Sequence, residues 1–257
     1  MLLVAATAGA FTWIWHGVDW AGSLAAVAFL AALVIRVALL SERPERVWYE
    51  GRAAAESAKT LAWRFAVGGE PFGVEALGVQ AAETKLLSRL HEILTDLRGL
   101  HLVPPNDAGE QITNAMRDMR VKSLHERKTC YELGRIATQR KWYADRSRWN
   151  RDQALLWSYR LLAVEVLGAI GAILKAVGML QLDLLGLAGT AAAAGTSWLA
   201  AKQHETLAEA YSVTAQELAV VAARMDQAQT EASWARFVDD AEEAISREHT
   251  LWRASHR

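Results

Sequence analysis

Three ionisable side chains stand in surroundings that would ordinarily exclude them. Glu165 and Lys175 lie inside one long apolar run and Arg36 lies inside another. Glu165, Gly168, Ala172 and Lys175 are spaced three, four and three apart, so on a helix they make one stripe. A carboxylate in such a stripe must face protein or water, because a charge at the centre of a bilayer costs ~2.5–3.5 kcal/mol on insertion scales. The chemistry open to it is electrostatic, either pairing with a cation or lining a path for one. Arg36 is the natural partner. It falls about one turn inside the end of its run near Ser41, and Glu165 about one turn beyond Leu161, so the two are expected at similar depth. The pair then joins two apolar elements, within one chain or between neighbours.

The remaining reactive types are scattered. His125-Glu126 and His204-Glu205 have no second histidine at metal-ligand spacing and are expected on solvated helix surfaces. Asp239, Asp240, Glu242 and Glu243 spread over more than one face of a helix, which reads as a solvated face rather than a cation site. The single cysteine, Cys130, excludes a disulfide framework and a multi-cysteine metal site. GxGxxG, Walker A, HExxH, GxSxG and CxxC patterns are absent. The reading is therefore of a protein that is not an enzyme, with no catalytic residue, metal or cofactor.

The elements that must position Glu165 and Arg36 are apolar hairpins. Residues 161–201 read LLAVEVLGAIGAILKAVGM, a short QLD, then LLGLAGTAAAAGTSWLAA. A helix of about 20 residues, rising roughly 1.5 Å per residue, matches a hydrocarbon core of about 30 Å. Residues 1–40 repeat the design, with MLLVAATAGAFTWIW and AGSLAAVAFLAALVIRVALL around HGVDW. The first run lacks the basic segment of a secretory signal and is read as a short first span. Tryptophans gather near the ends: Trp13, Trp15 and Trp20 at the first loop, Trp157 and Trp198 at the far ends of the second hairpin. Neither loop carries Lys or Arg, and each carries an aspartate, Asp19 or Asp183. Arg36, Arg43, Arg46, Arg52, Arg146, Arg148, Arg151, Arg160 and Lys202 flank the opposite ends. By the positive-inside rule both loops face out, and residues 41–160 and 202–257 are cytosolic.

These elements add up to an all-α membrane protein. Two transmembrane helical hairpins, giving four spans, sit with a cytosolic coiled-coil-like helical bundle. The segments are a first hairpin at 1–40, cytosolic helices and linker at 41–106, a long basic helix at 107–160, the second hairpin at 161–201 and an acidic tail at 202–257. One helix should end at Gly68-Gly69, another occupy Glu75–Leu97, and Asp107 with Glu110 suggests a capping box for an unbroken helix to Arg160. Arg117–Arg151 holds eleven Lys or Arg against four acids, whereas the tail holds ten acids against six bases. Tyr211, Leu218 and Met225 lie seven apart, with Thr214, Val221 and Ala228 between them. Antiparallel packing of the acidic tail on the basic helix accounts for both patterns. A faint repeat, AAAESAKTLAW against AEAYSVTAQEL, places a small-residue helix after each hairpin.

These residues resemble the SLATT domains, two-span effector modules of prokaryotic conflict systems, here as two units in tandem. AESAKTLAWRFAVGGEPF (55–72), which holds Trp63, is similar to the stretch after the hairpin of one subgroup. ERKTCYELGRIATQRKWYADRSRWN (126–150) and FVDDAEEAISREHTLWRASHR (237–257) are similar to the flanks of a related membrane family, with Trp142, Tyr143, Glu248, His249 and Trp252 as signature positions. The resemblance implies a homo-oligomer acting on the lipid bilayer of the inner membrane, pore-forming or membrane-perturbing, in anti-phage defence. It also implies an upstream sensor or nucleotide-signal protein as partner. Nothing in the basic helix matches a nucleic-acid motif, so no nucleic-acid partner is expected. On the fourth span Gly186, Gly189 and Ala193 permit close helix approach, and Thr190, Thr196 and Ser197 are placed to face water. A membrane-anchored scaffold or receptor whose bundle docks a partner is the alternative.

Overall fold

The computed structural model describes residues 2–9, 13–42, 44–97, 109–180 and 184–255. Nearly all of it is helix. In chain order the elements are α1 (Leu2–Gly9), β1 (Ile14–Trp15), β2 (Val18–Asp19), α2 (Trp20–Glu42), α3 (Pro44–Val67) and α4 (Val79–Asp96). Then come α5 (Asn114–Arg120), α6 (Leu124–Tyr131), a π-helical segment (Glu132–Ala137), α7 (Thr138–Ala176), α8 (Leu184–Lys202), α9 (His204–Arg224) and α10 (Glu231–Ser255). Three helical stretches among the described residues are long and apolar enough to cross a membrane: Trp20–Ala38, and one within each of Leu124–Ala176 and Leu184–Gln227. The chain forms two compact units, Met1–Pro44 with Arg148–Ala208, and Glu45–Ser147 with Glu209–Arg257.

In the first unit, α1 packs on α2 and touches α8. α1 is eight residues, shorter than the run expected to form a first span. The turn beyond it differs from the plain loop expected around HGVDW. Ile14 pairs with Asp19 and Trp15 with Val18 in a small antiparallel ladder closed by His16 and Gly17, both at positive φ. Asp19 then starts α2: its carboxylate accepts from the backbone N–H groups of Trp13, Ala21 and Gly22 at 3.1–3.2 Å. These bonds to Gly22 and Trp13 hold its carboxyl below the usual aspartate value. Asp183, the counterpart in the second loop, lies outside the described residues.

The second unit is a bundle of α3, α4, α5, α6, the start of α7, most of α9 and α10. α3 stops at Val67 because Gly68 turns the chain at φ +77°, as the Gly68-Gly69 pair indicates. The basic helix is not continuous. Thr113, not Asp107, is the N-cap of α5, its hydroxyl accepting from Met116 N; Asp107 lies outside the described residues. The chain breaks again after Arg120, and Ser123 with Glu126 forms a capping box that restarts it as α6. The Ser123 hydroxyl and backbone hold the Glu126 carboxyl below its ordinary value.

The tail packs on this basic run by two routes. α9 runs antiparallel to it, with Tyr211 beside Trp142 and Tyr143, and Lys128 Nζ donating to Met225 O. Leu218, Met225, Thr214 and Ala228 of the expected heptad are buried. α10 runs parallel instead: Arg127 meets Glu231, Arg135 meets Glu242, and Tyr143 shares a core with Ile245. The reversal is made by the short 3₁₀ turn Met225–Gln227, which the charge pattern alone does not reveal. The main core holds Val67, Tyr131, Ile136, Trp234, Val238 and Ala241. A second, with Phe65, Phe72, Ala82, Leu86 and Ile112, lies under the turn after α3.

Candidate functional site

The first unit holds the residues singled out by their placement in apolar runs. α7 and α8 pack through glycine. A Cβ at Gly168 would lie 2.6 Å from Ala188 Cβ, and one at Gly171 would lie 2.5 Å from Leu184 Cβ. A Cβ at Gly195 would collide with Leu161. Two of these, Gly171 and Gly195, escape a reading that follows the Glu165 stripe alone. Their signal is the complementary spacing on the two helices of the hairpin.

Gly168 is thus used up in the seam, while Glu165 stays exposed on another flank of α7 among exposed Leu162, Val166 and Ile173. Ala172 is half-buried and Lys175 exposed. Arg36 is exposed on α2 among Leu33, Val34 and Val37. Among the described residues no ion pair joins Arg36 to Glu165. On α8, Gly186, Gly189, Ala193, Thr196 and Ser197 are exposed and Thr190 is half-buried. The Thr190 hydroxyl donates to Gly186 O and the Ser197 hydroxyl to Ala193 O, each at 2.9 Å, so neither needs water to be satisfied.

His204 departs from the expected solvated surface. It is 7% exposed, its Nδ1 lies 2.8 Å from Asn150 Oδ1, and its ring meets Trp149 edge-on at 5.5 Å. It is buried because α9 begins against α7 at this point. His125 and Glu126 are exposed as expected.

In the second unit the chemistry is internal. Arg120, Arg127 and Arg135, spaced seven and eight apart, are each 1–2% exposed. The eighth residue is the insertion of the π segment, which brings Arg135 back to the face that a seven-residue step would otherwise reach. Arg120 donates to Phe65 O (3.1 Å), Phe72 O (2.6 Å) and Leu77 O (3.0 Å). Arg127 donates to Val67 O at 2.8 Å and to Glu231. Cations therefore satisfy the carbonyls at the C-terminus of α3, where the helix dipole is negative. Burial, with the neighbouring Arg127 charge, lowers the Arg120 pKa from its ordinary value.

Glu242 contradicts the solvated reading of the acidic set. It is fully buried and accepts from Arg135 Nε (2.9 Å), Arg135 Nη2 (2.7 Å), Tyr131 Oη (3.0 Å) and Thr60 Oγ1 (2.9 Å). Asp239 pairs with Arg64 at 2.8 Å, and only Asp240 and Glu243 of the four are exposed. A buried acid is permitted because its charge is met by a bidentate cation. Burial would lower the Arg135 pKa, but the hydrogen bonds and charge of Glu242 outweigh it and the net shift is upward. Burial, then the Glu242 charge, pushes the Tyr131 phenol well above its usual value.

The signature positions sit in packing roles. Trp63 stands edge-on to Tyr131 at 5.9 Å and over Gly134, where a Cβ would lie 2.9 Å from its ring. Trp142 and Tyr143 form an aromatic cluster with Tyr211, with centroids 5.0–5.7 Å apart. Glu248, His249 and Trp252 fall within α10, but their side chains lie outside the described residues. Among the described residues no cluster of His, Cys, Asp or Glu could hold a metal ion.

Apolar helices long enough to cross a membrane, together with a bundle whose few buried charges meet one another and backbone carbonyls, are the makeup of a helical membrane protein. Residues 1–128 match the family model described as SMODS and SLOG-associating 2TM effector domain 3, and residues 131–252 match that of domain 1. No curated protein and no solved structure matches the chain. The chain belongs to the SLATT family of two-span effector domains, as two units in tandem. Its role is that of a membrane effector. The two family segments do not coincide with the two compact units, since each contributes helices to both.

Proposed function

We propose that this protein is an oligomeric effector that perforates or perturbs the inner membrane of a prokaryotic cell in anti-phage or conflict defence. It fires when an upstream sensor or nucleotide-signal protein acts on its cytosolic part. Its four spans are formed around α1, α2, the apolar half of α7, and α8, with both hairpin loops outside and residues 41–160 and 202–257 inside. The observation that carries the reading is that Glu165 and Arg36 are exposed on apolar surfaces, with no ion pair to each other among the described residues. A monomer in lipid would leave each charge unmet, at ~2.5–3.5 kcal/mol if central and less near the interface. Assembly that sets Glu165 of one copy against Arg36 of the next removes most of that cost. The small exposed face of α8 supports close approach of neighbours.

The test is dye release from liposomes carrying the purified full chain, alongside oligomer size in detergent. Dye release with Glu165→Gln and Arg36→Gln each weakening assembly, and the double variant doing so less than additively, supports the pairing. Losses that simply add refute it. A Glu165→Gln variant that assembles normally but changes cation leakage assigns Glu165 to the pore wall instead. Liposomes that stay sealed at every protein-to-lipid ratio overturn the effector reading and leave the anchored scaffold.

A further inference from the structure

The end of the α7–α8 hairpin nearest Asn150 and His204 gathers two cations over two tryptophans. Arg160 Cζ lies 5.2 Å from the centre of the Trp157 ring, and Lys202 Nζ lies 4.5 Å from that of Trp198. The seam contacts fix the level of each. Leu161 meets Gly195, and His204 meets Asn150, so the two helices run antiparallel in constant register. Trp157 is four residues from Leu161 and Trp198 three from Gly195, which puts their Cα atoms within about 1.5 Å of one level along the helices. Side chains lean toward the N-terminus of their own helix. Arg160 therefore reaches from the apolar side out to that level, and Lys202, on the antiparallel helix, reaches down to it from the polar side. Both are exposed. Of the acids near in sequence, Asp152 and Glu205 stand further out, at the level of the Asn150–His204 contact, and Glu165, five residues after Arg160, stands further in.

We infer that this end of the hairpin binds the phosphodiester headgroup of an anionic phospholipid, held by Arg160 and Lys202 with Trp157 and Trp198 as its floor. Ring faces attract the cations without neutralising them, so the positive charge stays available to a phosphate. Indole rings prefer the headgroup layer, where such a phosphate lies. The single negative charge of the phosphodiester, shared between the two cations, offsets one of the two positive charges that the hairpin places at the lipid boundary. The inference rests on the reading that α7 and α8 span the bilayer.

The experiment uses the full chain reconstituted in phosphatidylcholine vesicles. Either phosphatidylcholine or phosphatidylglycerol, brominated on the acyl chain near the headgroup, is mixed in, and quenching of tryptophan fluorescence is measured. The expected result is a preference of about fivefold for brominated phosphatidylglycerol. It should fall to near unity in Arg160→Gln/Lys202→Gln and persist in Arg160→Lys/Lys202→Arg, with helix content unchanged in both. Equal quenching by the two lipids in the native chain overturns the inference while leaving insertion intact. A preference that survives the glutamine variant overturns it as well. Quenching by neither lipid means the hairpin is not inserted, and then the membrane reading fails with it.

Discussion

Glu242→Ala should be the most damaging single change in the bundle. The native carboxylate receives four hydrogen bonds from three side chains, on helices that are remote in sequence. Its removal leaves the Arg135 guanidinium buried without a counter-charge, and the Tyr131 and Thr60 hydroxyls without an acceptor. Breaking a buried pair from one side costs about 3–5 kcal/mol. For a unit of this size each kcal/mol moves the melting temperature by about 2–4 °C, so a fall on the order of 10 °C is expected by circular dichroism of the full chain in detergent. Removing both charges is different. In Arg135→Met/Glu242→Leu only the two hydroxyls are left unmet, at about 1 kcal/mol each, so most of the loss should be recovered. The coupling between the two positions should then exceed about 2 kcal/mol. A Glu242→Ala protein that melts within about 2 °C of the native one, or a double variant that loses the sum of the singles, would refute the reasoning.

Three more outcomes rest on the same geometry. Arg120→Met removes the donors to Phe65, Phe72 and Leu77 carbonyls, and should cost roughly 2–4 kcal/mol while speeding amide hydrogen exchange in residues 68–78. Tyr131 has a folded pKa above its unfolded value, so its stabilising share is complete below about pH 10 and is lost as pH rises toward the folded value. Melting scans from about pH 8 upward should show a shallower alkaline decline for Tyr131→Phe than for the native chain. Gly171→Ala forces a methyl to 2.5 Å from Leu184 and should destabilise the hairpin by about 1–3 kcal/mol, whereas Gly189→Ala, with nothing within 4 Å, should be neutral in the single chain.

The helical class, the stop at Gly68 and the core side of α9 were legible because apolar periodicity and glycine report on local geometry. The tandem family membership was legible from short motifs around Trp63 and Trp142. The hidden features depend on partners distant in sequence. Glu242 looks like any helix-surface acid until Arg135, more than one hundred residues earlier, is placed against it. His204 is buried only because Asn150 and Trp149 face it. The break at Val121–Ser123 had a visible signal in Ser123 and Glu126, overridden by reading the charge of the whole stretch as one helix. The parallel course of α10 had none, since charge complementarity between two helices is the same in either direction.

The placement of the buried network across the family boundary bears on how such a chain can evolve. Thr60, Arg64 and Val67 from the domain 3 segment contact Glu242, Asp239 and Trp234 from the domain 1 segment. Cut at the boundary, each half would present to solvent the apolar and charged surface that the other covers. Fusion therefore does more than tether two modules. It fixes their ratio at one to one and supplies each with a folding partner at high effective concentration. Any larger assembly then grows by whole pairs, and neither module can be lost by a later deletion without the other unfolding.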